Sequence, residues 1–233
     1  PPGTASATDY FNCITYTGNG STQSITGVGF QPDLVVAKNR DSTNGFRVLD
    51  VVRGVGEQIY WDTNLAQETV STGLTSFDSD GFSLGSSGGI NGSGINFVAW
   101  CWKAGGAASD NTDGDITSSV SVNQDAGFSV VKYTSSTSTK PLDVGHGLGK
   151  KPDFILTKNL DVDASWGGYH SSVGATKSMF IDTTGSGTVS ADYFGDTEPT
   201  ASVFTVNDSN STHSYGTSNE FVAYCWTEKT GVS

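Results

Sequence analysis

Four stretches of this chain occur twice, in the same order. Phe11-Asn-Cys-Ile-Thr-Tyr16-Thr17 returns as Phe128-Ser-Val-Val-Lys-Tyr133-Thr134. Gly29-Phe-Gln-Pro-Asp33-Leu-Val-Val-Ala-Lys38-Asn39 returns as Gly149-Lys-Lys-Pro-Asp153-Phe-Ile-Leu-Thr-Lys158-Asn159. Tyr60-Trp61-Asp62-Thr63 returns as Phe180-Ile181-Asp182-Thr183, and Phe97-Val-Ala-Trp-Cys101-Trp102 as Phe221-Val-Ala-Tyr-Cys225-Trp226. A period near 120 residues is too long for a solenoid and suits a small domain. We therefore read an N-terminal extension (1–8), a first β repeat (9–104), a linker (105–125), a second β repeat (126–229) and a tail (230–233). Two tandem sandwiches and one pseudo-symmetric packed pair both satisfy this plan.

Each copy divides into strands at Gly, Asn, Asp and Ser clusters. The first offers Tyr10–Tyr16, Asp33–Asn39, Phe46–Val51, Gln58–Thr63, Thr75–Leu84 and Asn96–Trp102, with Asp78-Ser79-Asp80-Gly81 as a tight hairpin turn. Leu65–Val70 resembles a single helical turn. In the linker, Ile116 to Val122 alternates weakly and is a candidate extra strand. In the closing strand, Phe97, Ala99 and Cys101 share one face, and Val98, Trp100 and Trp102 the other. Both faces are apolar, which predicts a central strand covered on both sides, with Cys101 and Cys225 as small buried residues. The composition agrees: aromatics make up 11% and charged residues only 15%, with 30 glycines. The fold class expected is all-β, as antiparallel β-sandwich repeats of jelly-roll or lectin type.

A net charge of −12 removes the basic footprint that nucleic acid or anionic lipid requires. The longest apolar runs are strand-sized, so none reads as a membrane span. The first residues lack the basic-then-apolar pattern of a signal peptide, and a chain opening on Pro1 reads as a fragment or processed product. Three widely spaced cysteines, Cys13, Cys101 and Cys225, do not make a disulfide framework or a zinc site.

Catalytic signatures are sparse. Gly85-Ser86-Ser87-Gly88-Gly89 fits a GxSxG pattern, but it sits in a Gly/Ser loop without the helix that would make it a nucleophile elbow. His146, His170 and His213 have no counterparts in the first copy, and His146 reads as an exposed residue of a glycine-rich turn. Glu57, Glu68, Glu198, Glu220 and Glu228 show no paired spacing of the kind a glycosidase needs. No metal is expected; Asp110, Asp113 and Asp115 form a weak Ca²⁺ candidate without a later bidentate Glu. Asp33 and Asp153 follow Pro and open strands, which suits a turn constraint. Aromatics that the copies do not share are the best ligand-binding candidates: Trp166 and Tyr169, with His170 beside them in the loop Asp161–His170, and Tyr215 in Asn207–Asn219.

Tyr16-Thr-Gly-Asn-Gly, Ile25-Thr-Gly-Val-Gly-Phe-Gln-Pro-Asp-Leu-Val, Lys38-Asn-Arg-Asp, Val52-Arg-Gly-Val-Gly, Leu74-Thr-Ser-Phe-Asp-Ser-Asp-Gly-Phe-Ser-Leu-Gly and Phe97-Val-Ala-Trp-Cys-Trp-Lys-Ala-Gly-Gly together resemble a repeat of tailed-phage structural proteins, especially from phages of marine bacteria. The second copy departs from it: Arg40 becomes Leu160, and Val52-Arg53-Gly54 becomes Ser171-Ser172-Val173. The resemblance implies a non-enzymatic virion appendage, such as a tail fibre, assembled in the bacterial cytoplasm and carried on the virion. It implies other virion proteins as partners, contact with host-surface glycans and a homo-oligomer, by context a trimer. It supplies no catalytic residues. A purely structural decoration or fibre-shaft domain and a glycan depolymerase are the alternatives.

Overall fold

The computed structural model describes residues 6–136, 141–185, 187–212 and 218–230. The first half holds β1 (Phe11–Thr17), β2 (Gln23–Thr26), β3 (Leu34–Asn39), β4 (Arg47–Asp50), β5 (Glu57–Gln58), β6 (Glu68–Thr69), β7 (Leu74–Asp78), β8 (Gly81–Leu84) and β9 (Asn96–Trp102). β10 (Ser109–Asn111) and β11 (Ser118–Asn123) follow: β11 lies at the candidate strand Ile116–Val122, and β10 is a further strand in the segment expected as a linker. The second half holds β12 (Phe128–Thr134), β13 (Leu142–Gly145), β14 (Phe154–Asn159), β15 (Gly167–His170), β16 (Lys177–Ser178), β17 (Thr188–Val189), β18 (Val203–Val206) and β19 (Glu220–Trp226). A 3₁₀ turn (Ala7–Asp9) and two one-turn helices, α1 (Gly88–Asn91) and α2 (Ala191–Phe194), complete the regular structure of the described residues. The fold is all-β with antiparallel ladders. The helical turn expected at Leu65–Val70 is extended, because Glu68 and Thr69 pair with Gln58 and Glu57.

Two large sheets dominate. One has the order β1-β9-β3-β4; the other is β10-β11-β12-β19-β14-β15. Four strands correspond one for one, down to register: Phe11 lies opposite Trp102 as Phe128 does Trp226, and Leu34 opposite Asp50 as Phe154 does His170. The closing strands β9 and β19 are central in both sheets, as their two apolar faces require. Cys101 and Cys225 are fully buried, and burial pushes the Cys101 thiol up to about 12.

The outer faces of the two sheets are covered separately. In the first half, Val35, Ala37, Ala99 and Cys101 pack with Phe82, Leu84 and Ile25 of the small sheet β2-β8-β7. Its hairpin turn is where expected, with Asp78 opposite Gly81. Gly81 has φ +153, and a Cβ there would lie 1.9 Å from the Ile25 carbonyl oxygen, so β2 can pair with β8 only if this residue is glycine. In the second half, Val131, Ile155 and Cys225 pack with Val144, Phe204 and Val206 of the β13–β18 pair.

The inner faces meet each other. Leu34, Val36, Val48 and Ile59 form one cluster with Phe128, Val130, Leu156, Val222 and Tyr224. The two halves therefore share a core, as a sandwich of one sheet from each. The loop before β15 clamps the contact. Ala164 N donates to Asn64 O (2.9 Å), Ala66 N to Asp163 Oδ1 (2.9 Å), Gln67 N to Leu160 O (2.9 Å) and Trp166 Nε1 to Tyr60 O (2.7 Å).

This clamp corrects two of the ligand candidates. Trp166 is fully buried, stacked on Tyr224 at 6.2 Å. It is the counterpart of Phe46: both donate their main-chain N–H to the matched carboxylates, Trp166 to Asp182 and Phe46 to Asp62. Tyr169 is also fully buried, in the core beneath β13 and β18, with only its hydroxyl reaching Glu198. Neither ring offers a free face. Both look unduplicated only because the matched residues, Phe46 and Leu49, differ in kind. The aligned turns also place Gly54 with Gly174, since each donates its N–H back to the fourth residue before it. The Arg53 position is therefore lost at Val173.

His146 is corrected as well. It is fully buried: its Nε2 pairs with Thr200 O at 3.3 Å, and its Nδ1 accepts from Leu148 N at 3.2 Å. These bonds hold the neutral ring, and burial pushes its pKa down to about 4. Above the unfolded pKa of about 6.5 the ring is neutral in both states. As pH falls from there toward 4, only the unfolded state gains the proton. Stability is thus expected to fall by about 3 kcal/mol across that window from this residue. Denaturant titrations at pH 7 and pH 4.5 check it: His146→Gln should lose less stability between the two than the parent. An equal loss in both would mean that carboxylates account for the whole slope.

Candidate functional site

Where the shared core opens to solvent, aromatic side chains are left half-covered. A groove of about 750 Å³ is lined by Phe46, Trp61, Trp100, Trp102, Phe154, Leu156, Ile181 and Trp226, with Asp62 as its one charged residue. The rings follow one another along the wall. Trp100 lies 6.0 Å from Phe46, Phe46 6.3 Å from Trp61, Trp61 6.2 Å from Trp102, Trp102 6.2 Å from Trp226, and Trp226 5.4 Å from Phe154. The pattern that creates this track is the period of two: Trp100 and Trp102 of β9, and Trp226 of β19, sit on the faces turned toward the partner sheet. Asp62 is held at the rim, its Oδ1 accepting Phe46 N at 3.1 Å. Trp61 Nε1 is buried and has no hydrogen-bond partner among the described residues. Such a donor is matched when an acceptor oxygen reaches it.

A second cavity of about 490 Å³ lies in the second half. Phe180 walls this cavity and the next residue, Ile181, walls the groove. Its lining is mostly polar: Asp163, Ser165, Thr183, Thr188, Ser209 and Asn210 lie around Phe180 and Tyr193, which meet edge to face at 5.6 Å. Both volumes fall within the range of ordinary small-molecule sites, and convergent polar groups beside aromatic surface are their usual signature.

The other expected residues are dispersed. His170 is half-buried at the end of β15, its Nδ1 bonded to Ser172 N at 3.1 Å and its ring 6.0 Å from Phe154. Tyr215 and His213 lie outside the described residues. Asp110, Asp113 and Asp115 do not assemble as a ligand set: Asp113 pairs with Asn111, and Asp115 Oδ2 accepts Asp143 N at 3.0 Å. Among the described residues no group of three or more metal-ligating side chains converges. A short helix, α1, does follow the GxSxG stretch, contrary to expectation. Among the described residues, however, no histidine hydrogen-bonds to Ser87. Asp33 and Asp153 each tie down the segment after a closing strand, through Ala104 N at 2.7 Å and Glu228 N at 2.8 Å.

One carboxylate is strongly perturbed. Glu198 Oε2 accepts from Lys151 Nζ and from the Tyr169 hydroxyl, both at 2.6 Å, and Oε1 accepts Ala175 N at 2.9 Å. These donors, Lys151 first, hold its pKa down to about 2. A general acid for glycoside cleavage needs the opposite shift.

Fold and site together define an all-β, antiparallel chain of stacked sheets with an open aromatic groove at the junction of its halves. The chain belongs to the family described as Domain of unknown function (DUF7483), which matches residues 6–233. No curated protein and no solved structure matches it.

Proposed function

We propose that this chain is a non-enzymatic binding module of a tailed-phage virion appendage, such as a tail fibre, and that the aromatic groove and the second, polar cavity hold host-surface glycan. The observation that carries this reading is the half-exposed aromatic track, together with a cavity lined by hydroxyl, amide and carboxylate groups. Sugar rings present apolar C–H faces, which aromatic rings cover, and peripheral hydroxyls, which Asp163, Ser165, Thr183 and Asn210 would bond. The depolymerase alternative draws no support from Glu198, which is held ionised.

The test is binding of bacterial surface polysaccharide to the purified chain. Trp100→Ala, which removes one ring of the track, should weaken binding about tenfold or more, equivalent to about 1.4 kcal/mol. Unchanged affinity in this variant, or binding to no polysaccharide tested, would remove the glycan reading. The almost wholly apolar wall of the groove favours one alternative, a structural module whose groove is covered by another virion protein. That reading is supported if the chain binds virion proteins and no polysaccharide.

A further inference from the structure

The two large sheets differ at one edge. Among the described residues, β1 is the outermost strand of the first sheet, whereas β12, which occupies the same place in the second, is covered by β11 along its length, from Ser118 opposite Tyr133 to Asn123 opposite Phe128. The two strands are otherwise alike. β1 pairs with β9 from Phe11–Trp102 to Thr17–Asn96, and β12 with β19 from Phe128–Trp226 to Thr134–Glu220. Tyr16 stacks on Phe97 at 5.2 Å as Tyr133 stacks on Phe221 at 5.4 Å.

The main chain of β1 shows what is left open. Lys103 N donates to Tyr10 O, and Gly18 N donates to Ile95 O. Given the alternation of an antiparallel ladder, Tyr10, Asn12, Ile14 and Tyr16 exchange bonds with β9, and Phe11, Cys13, Thr15 and Thr17 face outward. Two of these outward groups are filled from within the chain: Asn12 Oδ1 accepts Cys13 N at 2.9 Å, and Gln23 Nε2 donates to Thr17 O at 3.2 Å. The side chains of Cys13, Thr15 and Thr17 are exposed. The strand carries no Pro and no charge, the devices that usually blunt an open edge.

We propose that the outer edge of β1 receives an antiparallel strand from another polypeptide, with the chemistry of β11: about six residues, uncharged and Pro-free, alternating Ser and Val. The second half supplies the precedent, because an equivalent strand in an equivalent register takes such a neighbour. Addition of a strand to an exposed edge is a general mode of recognition, in which main-chain bonds give affinity and alternate side chains give selectivity.

The experiment uses the full chain, kept dilute, and a synthetic peptide of residues 116–124. Hydrogen–deuterium exchange is followed along β1 and β12. Saturating peptide should slow exchange in Phe11–Thr17 by tenfold or more and leave β12 unchanged. A peptide carrying Ser119→Pro and Val120→Pro should have no effect. Unchanged β1 exchange at millimolar peptide would overturn the proposal, as would equal protection by the proline-bearing peptide. Protection that appears without peptide and grows with protein concentration would also overturn it, by showing that a second copy's own edge fills the place.

Discussion

Replacing Arg53 with methionine is expected to destabilise the chain by about 3–5 kcal/mol, because it strands a buried carboxylate. Arg53 Nε and Asp50 Oδ2 lie 2.5 Å apart, with the two side chains 1% and 0% exposed. The guanidinium also donates to Val48 O at 2.9 Å, Glu57 O at 3.3 Å and Gln67 Oε1 at 3.2 Å. From the other half, the Tyr224 hydroxyl donates to Asp50 Oδ2 at 2.7 Å. Burial pushes this phenol well above its ordinary pKa, so it remains a donor. Methionine keeps much of the apolar stem. It removes the charge that compensates Asp50, leaving that carboxylate the Val52 and Arg53 main-chain N–H groups and the tyrosine. The double variant Asp50→Asn with Arg53→Met should recover a substantial part of the loss, since removing both charges avoids the uncompensated one. Chemical denaturation measures all three species. A cost below about 1 kcal/mol for Arg53→Met would show that the cluster contributes little.

The second large effect is expected at Trp166. Truncation to alanine should cost about 3–5 kcal/mol through the cavity it leaves in the core shared by the halves. Trp166→Phe is the informative comparison, because phenylalanine is what the first half uses at the matching position, Phe46. It keeps the stack on Tyr224 and loses the 2.7 Å bond to Tyr60 O, so a cost of about 1–2 kcal/mol is expected. The stranded Tyr60 carbonyl belongs to the first half, so the loss should also loosen the clamp. Faster amide exchange at Ala66 and Gln67, whose N–H groups bond into Asp163 and Leu160, would report it. If Trp166→Ala unfolds at the denaturant midpoint of the parent, the clamp does not stabilise the chain.

These two residues mark where a reading of the sequence stops. Trp166 draws attention as an aromatic in a polar loop with no obvious match, which is also how a binding residue looks. Its backbone bond to Asp182, mirroring that of Phe46 to Asp62, is a tertiary fact. His146 lies between glycines in a segment with every mark of a surface turn, yet Thr200 and Leu148 close around it. Arg53 stands in a short glycine-containing block, and its partner Tyr224 is 171 residues away. The groove was legible only in part. The alternation in Phe97–Trp102 shows that Trp100 and Trp102 share a face, but not that this face is left half-covered.

The sequence by itself determined the all-β class, the four strands of the first large sheet and the central place of the two closing strands; it missed β2 and carried the strand at Gln58 on to Thr63, where β5 is only Glu57–Gln58. What it determined follows from local regularities: a period of two in apolar residues, turn residues at the breaks and the same order of blocks twice. The tertiary structure alone decided that the halves meet through one aromatic core, that loop residues become interior, and that, among the described residues, no strand lies on β1 where β11 covers β12. The physical reason is that periodicity records which face of a strand is apolar. What comes to lie against that face depends on the packing of elements far apart in the chain, which no local pattern encodes.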